Sequence, residues 1–465
     1  MSGYAEYREV NLPWLKAVPA HWEIRRNKNI FTEQKEIVGE RSADYTLLSL
    51  TLNGIIPRDM DGGGKFPESF DKYKIVKNGD MAFCLFDIDE TPRTVGLSGY
   101  NGMLTGAYTI MRVSNINARF IYYYYLALDN GKMLRPLYTG LRKTININTF
   151  QSTKVPVPPR EEQDQIVCFL DWKVSSINKL ISNYRRQIVL LEEMKQRKID
   201  KSVVKGMRKS ALIRNHDVRW DIDYPEHWQI RRIRESFSFR KGLSITKANL
   251  EETGIAVISY GQIHSKKNSG VSLNEELIRY VNESYLTTNR SCLVEKGDFI
   301  FADTSEDVTG CGNCAYIDWD DTIFAGYHSI IAHPDGSTNN KYLAYLFKSP
   351  TWRYQIRKKV NGVKVYSITQ KMLKDAFILI PPDDEQKEIV RYLDEVCAKI
   401  DAAIKKMEEK IANLQDLKIR LVADTVTGKI DVRGIEIPEY EFVDEDADNV
   451  DENLEQGADE PPEEE

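Results

Sequence analysis

No stretch of about 18 or more apolar residues occurs in this chain, which excludes an apolar membrane-spanning helix. The opening MSGYAEYREV carries no basic-then-apolar signal segment, so a cytoplasmic protein is expected. Cysteine is scarce. Cys84, Cys168, Cys292, Cys311, Cys314 and Cys397 are scattered over 465 residues, mostly within apolar runs such as AFCLF and IVCFL, and they read as reduced, buried small hydrophobes rather than a disulfide frame. Three signatures of catalysis are also missing: a Gly-x-x-x-x-Gly-Lys-Ser/Thr phosphate loop, an Asn-Pro-Pro-Tyr or Asp-Pro-Pro-Tyr methyltransferase motif, and a Gly-x-Ser-x-Gly elbow. No catalytic residue is therefore assigned, and any chemistry is expected from partners.

Positive charge is absent from one region only. Residues 441–465 hold 13 Asp or Glu and no Lys or Arg, so the formal charge of −6 misrepresents the rest. With those 13 of the 70 acidic residues set aside, the 64 basic residues outnumber the remaining 57, a surplus of seven. A mildly basic body permits binding to a polyanion without demanding it. Residues 431–465 are expected to form an acidic disordered tail, either a solvating end or a DNA-mimicking brake on the body. The length suits two or three domains, and the 42% hydrophobic and 29% charged shares are those of a globular protein.

What is present is a text written twice. Pro19-Ala-His21-Trp22-Glu-Ile24-Arg25-Arg26 returns as Pro225-Glu-His227-Trp228-Gln-Ile230-Arg231-Arg232. Lys77-Asn-Gly79-Asp80 returns loosely as Glu295-Lys-Gly297-Asp298, and Thr139-Gly140 as Asn361-Gly362. Each half reaches a double proline, Pro158-Pro159 or Pro381-Pro382. From there the match keeps register: Glu162-Gln163, Ile166-Val167 and Leu170-Asp171 meet Glu385-Gln386, Ile389-Val390 and Leu393-Asp394.

A heptad pattern follows in both copies. Ile177, Ile181, Tyr184, Ile188 and Leu191 recur as Ile400, Ile404, Met407, Ile411 and Leu414, with Leu180, Met194, Ala403 and Leu417 beside them. Apolar residues every three or four positions lie on one helix face, and a repeat near 3.5 lets two helices pack side by side. The proline pairs mark the helix starts, and Gly206 and Gly428 mark the ends. Each helix then spans about 40 residues, roughly 60 Å. Leaving such stripes exposed is unfavourable, so the two copies are expected to pair antiparallel. The expected fold is α+β: two strand-rich domains related by duplication and separated by two long antiparallel coiled-coil helices. The boundaries read as 1–158 for the first domain, 159–206 for the central helix, 207–381 for the second domain and 382–430 for the C-terminal helix. The tyrosine-rich segment from Phe120 to Leu128, and Tyr342 to Phe347, are expected as short packed helices.

Two divergent strand-rich domains, each opened by Pro-x-His-Trp and closed by a Pro-Pro…Glu-Gln…Ile-Val…Leu-Asp helix, resemble the specificity subunit of type I restriction-modification systems over residues 12 to 430. The resemblance implies a non-catalytic subunit with two target recognition domains, each reading one half of a split double-stranded DNA sequence, and a helix pair that sets the spacer. It also implies modification subunits that methylate adenine and motor-nuclease subunits that cleave, with S-adenosylmethionine, ATP and Mg on those partners and no cofactor on this chain. The acidic extension is a departure from the pattern. A coiled-coil adaptor binding only proteins is the alternative reading.

Candidate DNA contacts are basic residues in Gly-rich turns: Lys65, Arg93, Arg142, Lys143, Lys241, Lys266, Lys267 and Lys364. Such residues hold phosphates while neighbouring groups read base edges. Arg142-Lys143 and Lys364 are favoured, because both copies place a basic residue just after a glycine ahead of the helix. The spacing Cys311, Cys314, His328, His333 fits a zinc site. However, the first copy lacks it, and histidines five steps apart along a strand face opposite sides, so no metal is assigned. Glu385-Gln-Lys387 resembles part of a nuclease metal site, but its partner Glu162-Gln-Asp164 loses the lysine. Both pairs are expected to cap helix amides or to dock a subunit. His21 and His227 beside their tryptophans are expected to be structural.

Overall fold

The computed structural model describes residues 3–52, 54–58, 67, 69–138, 143–208, 212–214, 220–362 and 365–443. It divides into two compact units, Met1–Arg186 with Met407–Glu465, and Gln187–Lys406.

In the first unit four antiparallel strands lie in the order Phe31–Gln34, Thr109–Val113, Asp80–Phe83, Val95–Leu97. Alternation explains their setting: Met81, Phe83, Met111 and Phe31 point into one core, while Ala82 and Ile110 fill a smaller one on the opposite face. In the second unit the order is Phe237–Lys241, Ser329–Pro334, Phe299–Ala302, Cys314–Tyr316, again antiparallel throughout. The loosely repeated Gly-Asp pairs open matching strands. Gly79 (φ 89°) and Gly297 (φ 104°) take the left-handed turn, and the buried Asp80 and Asp298 accept from the amides of Lys77 and Glu295 at 3.0 and 2.9 Å.

Each sheet is followed by a short helix with an asparagine N-cap, Ala118–Asn130 after Asn117 and Asn340–Lys348 after Asn339. The tyrosines expected to be core are core: Tyr124, Tyr125, Tyr342 and Tyr345 are buried. A strand pair then leads into each long helix, Glu23–Arg26 with Lys154–Val157 and Gln229–Arg232 with Phe377–Ile380. The copies diverge elsewhere. The first lobe adds the hairpin Leu48–Thr51 with Gly54–Pro57 and the antiparallel pair Lys74–Val76 with Gly102–Leu104, whereas the second adds a four-stranded sheet in which Ile255–Ile258 runs parallel to Ile323–Ala325.

The long helices span Arg160–Lys205 and Asp383–Val426. Within the first unit Lys418 reaches Asn178 and Lys410 lies over the Tyr184 ring. Position numbers rise on one helix as they fall on the other, which makes the pairing antiparallel. Within the second unit Lys195 pairs with Asp401 at 2.5 Å. The stripe divides by depth. Ile177, Ile181 and Ile400 are buried, whereas Tyr184, Ile188, Leu191, Ile404, Met407, Ile411 and Leu414 are half-buried. Leu180, Met194 and Leu417 stay exposed, so the seam is narrower than the sequence pattern suggested. Two helices alone present one line of contact, and flanking positions need a third element to cover them.

The chain after the second helix corrects the expectation for 431–465. Residues 431–443 lie along the first long helix: the Gln165 amide donates to the carbonyls of Val432 and Ile435 at 3.0 and 2.8 Å. The Ser175 hydroxyl donates to Glu441 and accepts from the Val443 amide. The reason is local composition, since Val432, Ile435 and Ile437 give this stretch apolar side chains that pack against the first core, of which the strongly acidic remainder has far fewer. Residues 444–465 lie outside the described residues.

Candidate nucleic-acid interface

The repeated motifs build one interlock in each unit. The Glu162 carboxylate is buried just inside the first long helix. It accepts from the Trp22 indole at 2.9 Å and the Tyr4 hydroxyl at 2.5 Å, and lies 2.7 Å from His21 Nε2. Burial, reinforced by the hydrogen bond to Glu162, pushes the Tyr4 hydroxyl well above its ordinary value, so it remains a donor. Glu385 repeats the arrangement with the Trp228 indole at 2.6 Å, His227 Nε2 at 2.9 Å and Arg208 at 2.9 Å.

The adjoining glutamines are equally matched. Gln163 accepts from the Asn117 amide and donates to the Pro158 carbonyl, both at 2.8 Å; Gln386 does the same with Asn339 and Pro381, again at 2.8 Å. Tyr123 donates to Asp171 and Tyr345 to Asp394, each at 2.6 Å. The Glu-Gln pairs therefore bind each long helix to its lobe instead of capping the helix's own free amides. The glycines close the other side of each interlock. Gly206 (φ 70°) faces Trp228, and Gly428 (φ 75°) lies against Pro19 and Trp22, where a Cβ would collide.

The candidate cations are dispersed. Lys65, Arg142 and Lys364 lie outside the described residues. Arg93 is turned inward, its side chain 14% exposed and its guanidinium on Asp129 (3.1 Å) and Asn130 (2.8 Å). That internal engagement leaves it little to offer a phosphate, a correction to its place among surface contacts. Lys143, in left-handed backbone at φ 46°, pairs with Glu90 at 2.5 Å and Asp89 at 3.4 Å. The Glu90 hydrogen bond raises its pKa above the ordinary lysine value. Lys241 is exposed at the end of its strand, and Lys266 and Lys267 follow the short helix Tyr260–His264, with Lys267 on Glu276.

The Cys/His set does not converge. His333 lies 2.6 Å from Asp298, His328 lies 3.2 Å from Asp303, and the Cys311 thiol donates to the Asp307 carbonyl. Burial pushes the Cys314 thiol up to about 12. Among the described residues no three His, Cys, Asp or Glu side chains are grouped to hold a metal ion. Sequence reasoning missed Lys348, Arg353 and Arg357, because they stand within helical segments rather than Gly-rich turns.

Two copies of one sheet-and-helix lobe, each locked to a long helix by the same carboxylate, amide and indole, define a duplicated recognition scaffold. The chain belongs to the family of the type I restriction modification DNA specificity domain, whose model matches residues 70–188 and 225–413. It is accordingly a type I restriction-modification specificity subunit, the non-catalytic part that recognises DNA. The MjaVIII specificity subunit of Methanocaldococcus jannaschii is 22% identical over 441 residues, covering 92% of this chain and 98% of that one. The EcoKI specificity subunit of Escherichia coli is 24% identical over 320 residues, 64% of each chain. A solved chain from work on complex assembly and conformational transition of the type I R-M system shares the fold, with TM-score 0.61 at 15% identity over 89% of this chain and 99% of that one. No helix among the described residues is long and apolar enough to cross a membrane.

Proposed function

We propose that each lobe reads one half of a bipartite double-stranded DNA target, and that the spacer between the halves follows the length of the two long helices. The observation that supports this most is the duplicated interlock: the same Glu, Gln, Trp and His set holds each recognition lobe to a long helix, so each lobe has a defined orientation on its own anchor. B-DNA advances about 3.4 Å per base pair. Helix length therefore converts into base-pair spacing, and loop side chains supply groove contacts while cations hold phosphates. Modification and motor-nuclease subunits, working in the cytoplasm and carrying S-adenosylmethionine, ATP and Mg, would supply the chemistry. Among the described cations, Lys143, Lys241, Lys266 and Lys267 remain the candidates for phosphate contact.

Deleting one heptad from both long helices, about 10 Å, should shorten the methylated target's spacer by about three base pairs or abolish recognition. Methylation mapping in the host reads this directly. An unchanged spacer with full activity would refute the ruler. Exchanging one lobe for that of a relative should alter one half of the target and leave the other.

A further inference from the structure

The second lobe contains a small recess of about 50 Å³ between the loop after Tyr260–His264, the strand start at Cys314, and the helices Asn340–Lys348 and Pro350–Arg357. That volume is far below the range of small-molecule sites and leaves room only for a small ion or a few waters. Two cations line it, Lys348 and Arg353, together with the polar groups of Ser265, Asn268 and Asn313. The Lys348 ammonium donates to the Ser269 carbonyl, and the Arg353 guanidinium donates to Asn313, both neutral acceptors. Among the described residues neither cation is bridged to a carboxylate, and the Arg353 Nε–H is buried without an acceptor. The acid that Lys348 feels, Asp401, is already paired with Lys195.

We propose that this recess is an oxyanion site in which Lys348 and Arg353 hold a phosphate-class anion. Two like charges facing one low-dielectric cavity repel, and a bound anion supplies the missing counter-charge together with acceptors for the unused donors. The strain is visible in the proton equilibria: burial pushes the Lys348 ammonium down to about 8 and the Arg353 guanidinium down to about 10. Counting from the matched asparagine caps, the first lobe carries Leu126 and Gly131 at the corresponding positions, so the site belongs to the second lobe alone. The anion has two possible sources, free phosphate or a backbone phosphate of bound nucleic acid, and only the second draws on the function proposed above.

The test uses the full chain and inorganic phosphate at constant ionic strength, followed by thermal unfolding. A saturable rise in the midpoint is expected, with phosphate affinity falling about tenfold or more in both Lys348→Met and Arg353→Met. No saturable rise, or an equal rise in both variants, overturns the site. Should either variant fail to fold, hydrogen exchange of the unaltered chain decides. Phosphate-dependent protection of residues 265–270 supports the site, and protection elsewhere or nowhere overturns it. Adding duplex DNA then assigns the source. Release of phosphate, read by phosphorus NMR, identifies a backbone phosphate, and retention identifies the free anion. Failure of phosphate binding leaves the DNA-reading assignment untouched, because methylation mapping judges that separately.

Discussion

The two lobes share a skeleton and an anchor but treat buried charge differently. In the first, Asp129 gathers Arg93 and Lys132 at 3.1 and 3.0 Å, and Asp89 gathers Arg135 and Lys143. In the second, Lys348 and Arg353 face a recess without a bridging carboxylate. What is common to both copies, such as Trp22 with Glu162 and Trp228 with Glu385, is mechanical. What differs is the set of secondary elements built around that skeleton. The repeat thus keeps the mounting and varies what is mounted, which is what the proposed reading of two unlike half-sites would require.

The strongest test of equal mounting is removal of the anchor carboxylates. Glu162→Ala and Glu385→Ala each leave a buried indole without an acceptor and strip the adjoining donors. Each should cost about 3–5 kcal/mol in the unit that holds it, measured by denaturant unfolding with segment-resolved hydrogen exchange. Losses differing by several kcal/mol would break the equivalence. Glycine replacement gives a smaller effect that should separate the copies. Gly428→Ala places a Cβ against the rigid Pro19 ring, whereas Gly206→Ala meets the edge of Trp228. Both adopt left-handed backbone, so each should cost about 1–3 kcal/mol, with Gly428→Ala the more damaging. The reverse order would mean that the two helix ends are seated differently.

The remaining effect concerns pH, and here one lysine of each lobe should contribute in opposite directions. Lys348 faces Lys195 and Arg353, with Asp401 and Cys397 also nearby, and burial holds its ammonium at about 8 against an ordinary 10.5. Between these values the unfolded chain binds more protons at this position, so the contribution of Lys348 itself should rise with pH across that window in phosphate-free buffer. It is read as the difference between the unaltered chain and Lys348→Met, since the raised Cys314 and Cys397 thiols act in the opposite direction. No pH dependence of that difference would refute it. Lys143 in the first lobe is shifted upward by Glu90. Its contribution is complete below the ordinary lysine value and is lost as pH climbs through the raised one; being exposed and screened, it should be slight. Hydrogen exchange by segment across that pH range checks both signs.

Much of this architecture was legible in the residues. Heptad spacing, double prolines and the terminal glycines located both long helices, because helix periodicity and chain termination are local properties. The repeated Glu-Gln pairs were visible as motifs, yet their partners were not. Glu162 meets Trp22 across 140 positions, and nothing in the spacing says that the carboxylate turns to an indole rather than to its own helix amides. Arg93 was read as a surface cation because it stands among turn residues, but its partner Asp129 lies 36 positions on, across three strands and most of a helix. The docking of residues 431–443 escaped for the opposite reason: the charge of the chain's end obscured a short apolar stretch at its start.

By itself, then, the order of amino acids determined the duplication, the helix pair with its stripe, and the short tyrosine helices, since each follows from periodicity and from the local cost of exposing apolar surface. Which donor meets which carboxylate, how deeply each stripe residue sinks, and where two cations are left facing one cavity were decided only by tertiary packing. Those outcomes depend on distances between segments remote in the chain, and pairwise electrostatics and burial respond to such distances rather than to sequence separation.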